Sequence, residues 1–185
     1  MGILKVLDKI NLWLSILATC ALAYFRDAHV SFAILGAVTT SIIVRILKRI
    51  IRQPRPKTAL KPRTTYGMPS THSASTMYFA VYTSLYLASS VPTLTVFRTL
   101  FITILLGVAL FIVWSRVELG HHTGAQVIAG TIAGCVCAAA CHSLWWEYGL
   151  PLSVDLGLNR KLEVNDIGIV IDYVWDVFTR RARVM

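Results

Sequence analysis

The chain has 185 residues, of which 56% are hydrophobic and 15% charged, and its mean hydropathy is +0.64. The apolar residues come in blocks that reach or approach the ~20 residues needed to cross a bilayer core, which excludes an ordinary soluble domain. The formal charge is +9, but 8 of the 18 Lys and Arg lie between Arg45 and Arg63. No nucleic-acid motif accompanies them, so a basic loop set against lipid phosphates fits better than a nucleic-acid surface.

Taken in order, the blocks predict an all-α fold, a polytopic membrane helical bundle of about five transmembrane helices with amphipathic interfacial helices at the termini. Residues 1–10 put Ile3, Val6, Leu7 and Ile10 on one helical face, with Lys5, Asp8 and Lys9 elsewhere, as in a helix lying at the interface. A first span is expected over residues 11–25, a tight connection at Arg26, Asp27 and Ala28, and a second span over residues 30–47. Pro54, Pro56 and Pro62 then end the helix. The third span opens at Pro69 and Ser70, with Pro in the first turn and Ser as cap, and runs past Tyr78, Tyr82 and Tyr86 until Pro92 breaks it. That Tyr stripe reads as packing.

A fourth span is expected over residues 94–114, and a fifth from after His122 to Trp146. Gly124, Gly130 and Gly134 in the fifth allow helices to approach closely, the usual role of small residues in membranes. Trp145, Trp146 and Tyr148 form an aromatic boundary. Residues 1–148 thus read as one transmembrane domain and residues 149–185 as an amphipathic tail. In the tail Ile167, Val170, Ile171, Val174, Trp175 and Phe178 share a stripe suited to a membrane surface or, alternatively, to a partner. Cys20, Cys135, Cys137 and Cys141 all sit in apolar blocks without ligand partners and read as packing residues.

Two polar stretches interrupt the apolar blocks, at residues 48–73 and 115–126. Ionisable groups at a membrane boundary are costly, so such clusters are functional candidates. Two spans lie between the interruptions and return the chain to the side it left. Both interruptions therefore face one side and can share one site. Lys48, Arg55 and Arg116 offer three cations, and the Arg fork suits phosphate. Ser70, Thr71 and His72 sit at a helix N-terminus, where backbone N–H groups favour an anion. His72 and His122, differently surrounded, can divide nucleophile and general-acid duties. Glu118 is the only carboxylate in either stretch, so the reading is of a phosphate site with no metal and no cofactor. His29 and His142 lack charged company and read as packing or interfacial residues.

At these residues the sequence resembles the type 2 phosphatidic acid phosphatase (PAP2) superfamily of membrane lipid phosphatases. Its first motif, Lys, six residues, Arg-Pro, is matched by Lys48, Arg55 and Pro56. Its second, Pro-Ser-Gly-His, is matched by Pro69, Ser70 and His72, with Thr71 in the Gly place. Its third, Ser-Arg, five residues, His, three residues, Asp, is matched by Ser115, Arg116 and His122, with Gln126 in the Asp place. The resemblance implies that His122 is the nucleophile and His72 the acid and base. Lys48, Arg55, Ser70, Thr71 and Arg116 would hold the phosphoryl oxygens, and Gln126 would orient His122. His121, the neighbouring imidazole, falls out of the motif register. The stretch Gly67 to Ser73, with Gln at residue 126, is similar to the dolichyl diphosphate phosphatase branch. That branch implies a polyprenyl diphosphate substrate in the endoplasmic reticulum membrane, an active site on the lumenal face, and a role in recycling the carrier for protein N-glycosylation.

Overall fold

A computed structural model describes residues 28–56, 66–90 and 95–155, together with positions 16, 20 and 24. The expected interfacial helices at the two termini and most of the first span lie outside the described residues, as does the tail stripe beyond residue 155. Every regular element among the described residues is helical. Helix α1 covers Ala28–Ile51, α2 Thr71–Ser90, α3 Thr95–Glu118 and α4 Gly124–Leu144. A π-helical turn, Trp145–Gly149, joins α4 to the short α5, Leu150–Asp155. The Leu150 N–H reaches back to the Trp145 carbonyl across this turn. The helical path therefore continues past Trp146, where the fifth span was expected to end.

Each helix end near the polar stretches has a local cause. Arg52 ends α1 in the left-handed region, at φ 53°, with its N–H on the Lys48 carbonyl. Gly120, at φ 66°, does the same after α3, where a residue without Cβ adopts that conformation freely. Ser70 caps α2 by accepting the Ser73 N–H on Oγ at 3.4 Å. The expected place of Pro69 in the first turn is corrected here. Pro69 precedes the cap, after a cis Met68–Pro69 peptide, and Thr71 is the first helical residue.

Among the described residues, three helical stretches, Ala28–Ile51, Val96–Glu118 and Gly124–Ser153, are long and apolar enough to cross a membrane. Helix α2 has 20 residues and so spans ~30 Å, yet it is too rich in Ser, Thr and Tyr to qualify by hydropathy. Its position explains this. It packs against α1, α3 and α4, so its polar side chains face protein: Ser73, Ser75, Thr76, Tyr78 and Tyr82 are all buried. Tyr78 donates to the Ala33 carbonyl of α1 at 2.9 Å and lies 3.2 Å from the Cys141 Sγ of α4. Closest approach is between α2 and α4. A Cβ on Gly130 or Gly134 would overlap the backbone carbonyl of Ser70 or Ala74, so these two positions set the depth of the packing. Large apolar side chains such as Leu35, Ile46, Val96, Phe97, Ile104, Ile132 and Val136 point outward, as they do in a helix bundle solvated by lipid.

Candidate active site

The chain folds so that four helix ends meet. The C-terminal ends of α1 and α3 carry Lys48 and Arg116, and the N-terminal ends of α2 and α4 carry Ser70–His72 and His122–Gln126. Backbone bonds tie the connecting stretches together. The Gly67 N–H donates to the Gln53 carbonyl at 2.7 Å, and the Ser70 N–H donates to the Gln126 carbonyl at 2.9 Å. The two polar stretches thus form one end of one bundle, in agreement with the parity of the spans between them.

His122 is the centre of this end, only 3% exposed. Its Nε2 lies 3.3 Å from an Arg55 guanidinium nitrogen, and its Nδ1 lies 3.1 Å from Gln126 Oε1. The tautomer follows from Gln126. Its Oε1 accepts the Thr123 backbone N–H at 3.3 Å and its Nε2 donates to the Pro54 carbonyl at 2.8 Å. Both partners are backbone groups of fixed polarity, so the amide has one orientation. An oxygen therefore faces His122 Nδ1, that nitrogen carries the proton, and the Nε2 lone pair points at Arg55.

The electrostatics agree. The His122 pKa is lowered from 6.5 to about 3, first by burial and then by Arg55, Lys48 and His72, against an opposing pull from the Gln126 hydrogen bond. His122 is neutral at physiological pH, with an available lone pair. Lys48 and His72 are thus close enough to act on its charge.

Arg116 is 1% exposed and holds the loop from beneath. Its carbonyl accepts the N–H groups of His121 and His122 at 3.1 and 3.3 Å. His121, the out-of-register imidazole, contributes its carbonyl to Arg55 at 3.4 Å. Ser70 is fully buried, its Oγ 3.0 Å from Ser73 Oγ, while Thr71 and His72 are half-buried at the start of α2. The arrangement can present a neutral imidazole to an anion held by cations, with a second imidazole close by.

Two features were missed in the sequence. Thr123 and Gln126 form a capping box on α4, with the Gln126 N–H on Thr123 Oγ1 at 3.3 Å. The Thr-x-x-Gln spacing could have revealed it. Gln53, whose Oε1 accepts from Gln126 Nε2 at 3.2 Å, gave no local signal, because the pair is 73 residues apart.

Comparison with known proteins adds to this geometry. A family model described as the PAP2 superfamily matches residues 29–149. The chain is 29% identical over 146 residues to the chloroplastic lipid phosphate phosphatase epsilon 1 of Arabidopsis thaliana, covering 78% of this chain and 51% of that protein. It is 29% identical over 168 residues to human (Homo sapiens) dolichyldiphosphatase 1, covering 83% of this chain and 70% of that protein. The chain therefore spans about half the length of the plant relative. Its fold is that of the transmembrane PAP2 type phosphatidylglycerolphosphate phosphatase from Bacillus subtilis, with a TM-score of 0.64 and 21% identity over 80% of this chain and 75% of that one.

Proposed function

This chain belongs to the PAP2 superfamily, and from that premise we propose that it is a membrane lipid phosphatase acting through a phosphohistidine. The observation that carries the reading is His122, neutral and oriented, with its Nε2 lone pair held against the Arg55 guanidinium.

A phosphoester entering this end offers Arg55 better acceptors than an imidazole nitrogen, and the Arg exchanges His122 for phosphoryl oxygens. Lys48, Arg116 and the start of α2 add positive potential around the same oxygens. His122 Nε2 then attacks phosphorus. A P–N bond forms and the bond from that phosphorus to the leaving oxygen breaks, the bridging oxygen of a diphosphate or the ester oxygen of a monophosphate. His72 gives its proton to the departing oxygen. In the second half, His72 removes a proton from water, the water oxygen attacks phosphorus, and the P–N bond breaks to release inorganic phosphate. Gln126 keeps the proton on Nδ1, and its amide oxygen faces the positive charge that develops on the ring.

The preferred substrate is a polyprenyl diphosphate of the dolichyl type, cleaved to the monophosphate. Similarity to dolichyldiphosphatase 1 over 83% of this chain supports it. The setting would then be the endoplasmic reticulum, with the site on the lumenal face and the product returned to N-glycosylation. Similarity to a lipid phosphate phosphatase favours a second reading, a lipid monophosphate substrate. The test is phosphate release by the purified full chain in detergent with EDTA, from dolichyl diphosphate, shorter prenyl diphosphates and phosphatidate. Preference for dolichyl diphosphate supports the first reading and preference for phosphatidate the second. Activity that requires added Mg²⁺ would overturn the metal-free mechanism.

A further inference from the structure

The residue that orients His122 is itself held from across the molecule. Gln126 Nε2 donates to the Pro54 carbonyl at 2.8 Å and to Gln53 Oε1 at 3.2 Å. Both acceptors belong to the stretch after α1. The third side of the pocket is Gly67, where a Cβ would come within 2.5–2.6 Å of the Gln126 amide. Gly67 in turn donates its N–H to the Gln53 carbonyl. Gln126 is 1% exposed, so water does not compete for its amide.

We propose that Gln53 and Pro54, under the roof of Gly67, are positioning residues for the nucleophile, and that they make residue 126 an amide site which a carboxylate cannot fill. The inference rests on the reading of His122 as the nucleophile. An amide satisfies both edges at once: Oε1 faces the donors His122 Nδ1–H and Thr123 N–H, and Nε2 faces the acceptors Pro54 and Gln53. An ionised carboxylate would put an oxygen where Nε2 stands, against two oxygens and without water. Only its protonated form can donate to Pro54 as the amide does. The first polar stretch thus supplies more than cations. It selects the residue type at the far end of the second stretch, and through it the proton position on His122.

The experiment is a double-mutant cycle of Gln126→Glu and Gln53→Leu in the full chain, with lipid phosphate turnover read against pH. For Gln126→Glu we expect kcat to fall about tenfold at pH 7.5 with KM within threefold, and to recover as pH is lowered and the carboxyl takes a proton. Gln53→Leu alone should lower kcat about threefold. Added to Gln126→Glu it should restore part of the loss, because one opposing oxygen is gone. A carboxyl ¹³C titration of the Gln126→Glu variant gives a readout independent of turnover. The introduced carboxyl should titrate above the ordinary value of ~4.3, and lower again when Gln53→Leu is added. Wild-type kcat for Gln126→Glu at pH 7.5, strictly additive losses, or an ordinary carboxyl titration would each overturn the inference. Were the wild-type chain to release no phosphate from any lipid tested, the proposed function would fail, while the carboxyl titration would still judge the pocket.

Discussion

The bundle carries histidines at both of its ends, and the two ends are built to opposite purposes. At one end His122 meets Arg55, Lys48 and His72 in charge and Gln126 in a hydrogen bond. At the other, roughly 30 Å away along α4, His142 Nε2 accepts from Trp146 Nε1 at 2.9 Å and lies 3.1 Å from Ser89 Oγ. Beside it His29 stacks on Tyr86 with ring centroids 3.7 Å apart, and its Nε2 is 3.0 Å from the Tyr82 hydroxyl. In the second cluster the histidine nitrogens meet neutral partners, Trp146, Ser89 and Tyr82, from the packed helices. The first leaves its key lone pair to an Arg that a phosphate can take away. The same side chain is a strut in one place and, on the proposed function, a reagent in the other, and the difference lies in what surrounds it.

The comparison can be broken most severely at His122. His122→Asn keeps a small polar group but removes the proposed nucleophile, and phosphate release in detergent should fall by at least about a thousandfold. Near-normal turnover would reduce His122 to a second strut. Next in size is Gly134→Val, which affects both ends at once. The new side chain meets the Ala74 carbonyl, and overpacking costs about 1–3 kcal/mol, so monodisperse protein should be lost along with activity. His142→Phe should act in the converse way to His122→Asn. Leaving the Trp146 N–H without its acceptor costs about 1–3 kcal/mol, read as a lower Tm, while kcat stays within twofold. A large loss of kcat without loss of stability would mean that the aromatic end takes part in turnover.

The smallest expected effect is in pH dependence. The His122 pKa is lowered to about 3, so its own titration should leave kcat/KM without an acid limb near 6.5. The sign for stability follows. Between pH 6.5 and about 3 the unfolded chain binds the proton that the folded chain refuses, so this contribution is complete above 6.5 and is lost as pH falls. His122→Asn should flatten that part of the stability profile, as followed by chemical denaturation across the same pH range. A stability profile that His122→Asn leaves unchanged between pH 6.5 and about 3 would place the His122 pKa at the ordinary value and contradict the burial argument.

Much of the polar end was legible before the fold was known. Lys48, Arg55, His72 and His122 announce themselves because charge is conspicuous in an apolar chain, and the parity of two spans required their loops to share a side. Gly130 and Gly134 were legible for a similar reason, since small residues in a membrane helix mark close packing. What misled was the detail of helix ends and anything decided by packing between helices. Pro69 looked like a first-turn residue, yet Ser70 caps α2 and leaves Pro69 outside it. Trp146 looked like a terminus, yet the π-helical turn carries the path on to Asp155. Helix α2 is polar for a crossing segment because its neighbours, and not lipid, solvate it.

The sequence by itself determined the class of the protein: long apolar helices, one shared face, and a set of basic and imidazole side chains suited to phosphate. Hydropathy, parity and charge are additive along a chain and can be read without knowing what touches what. Only the tertiary structure decided which nitrogen of His122 carries the proton. That depends on the backbone carbonyl of Pro54, 72 residues from Gln126, and a hydrogen bond has a direction that no local pattern records.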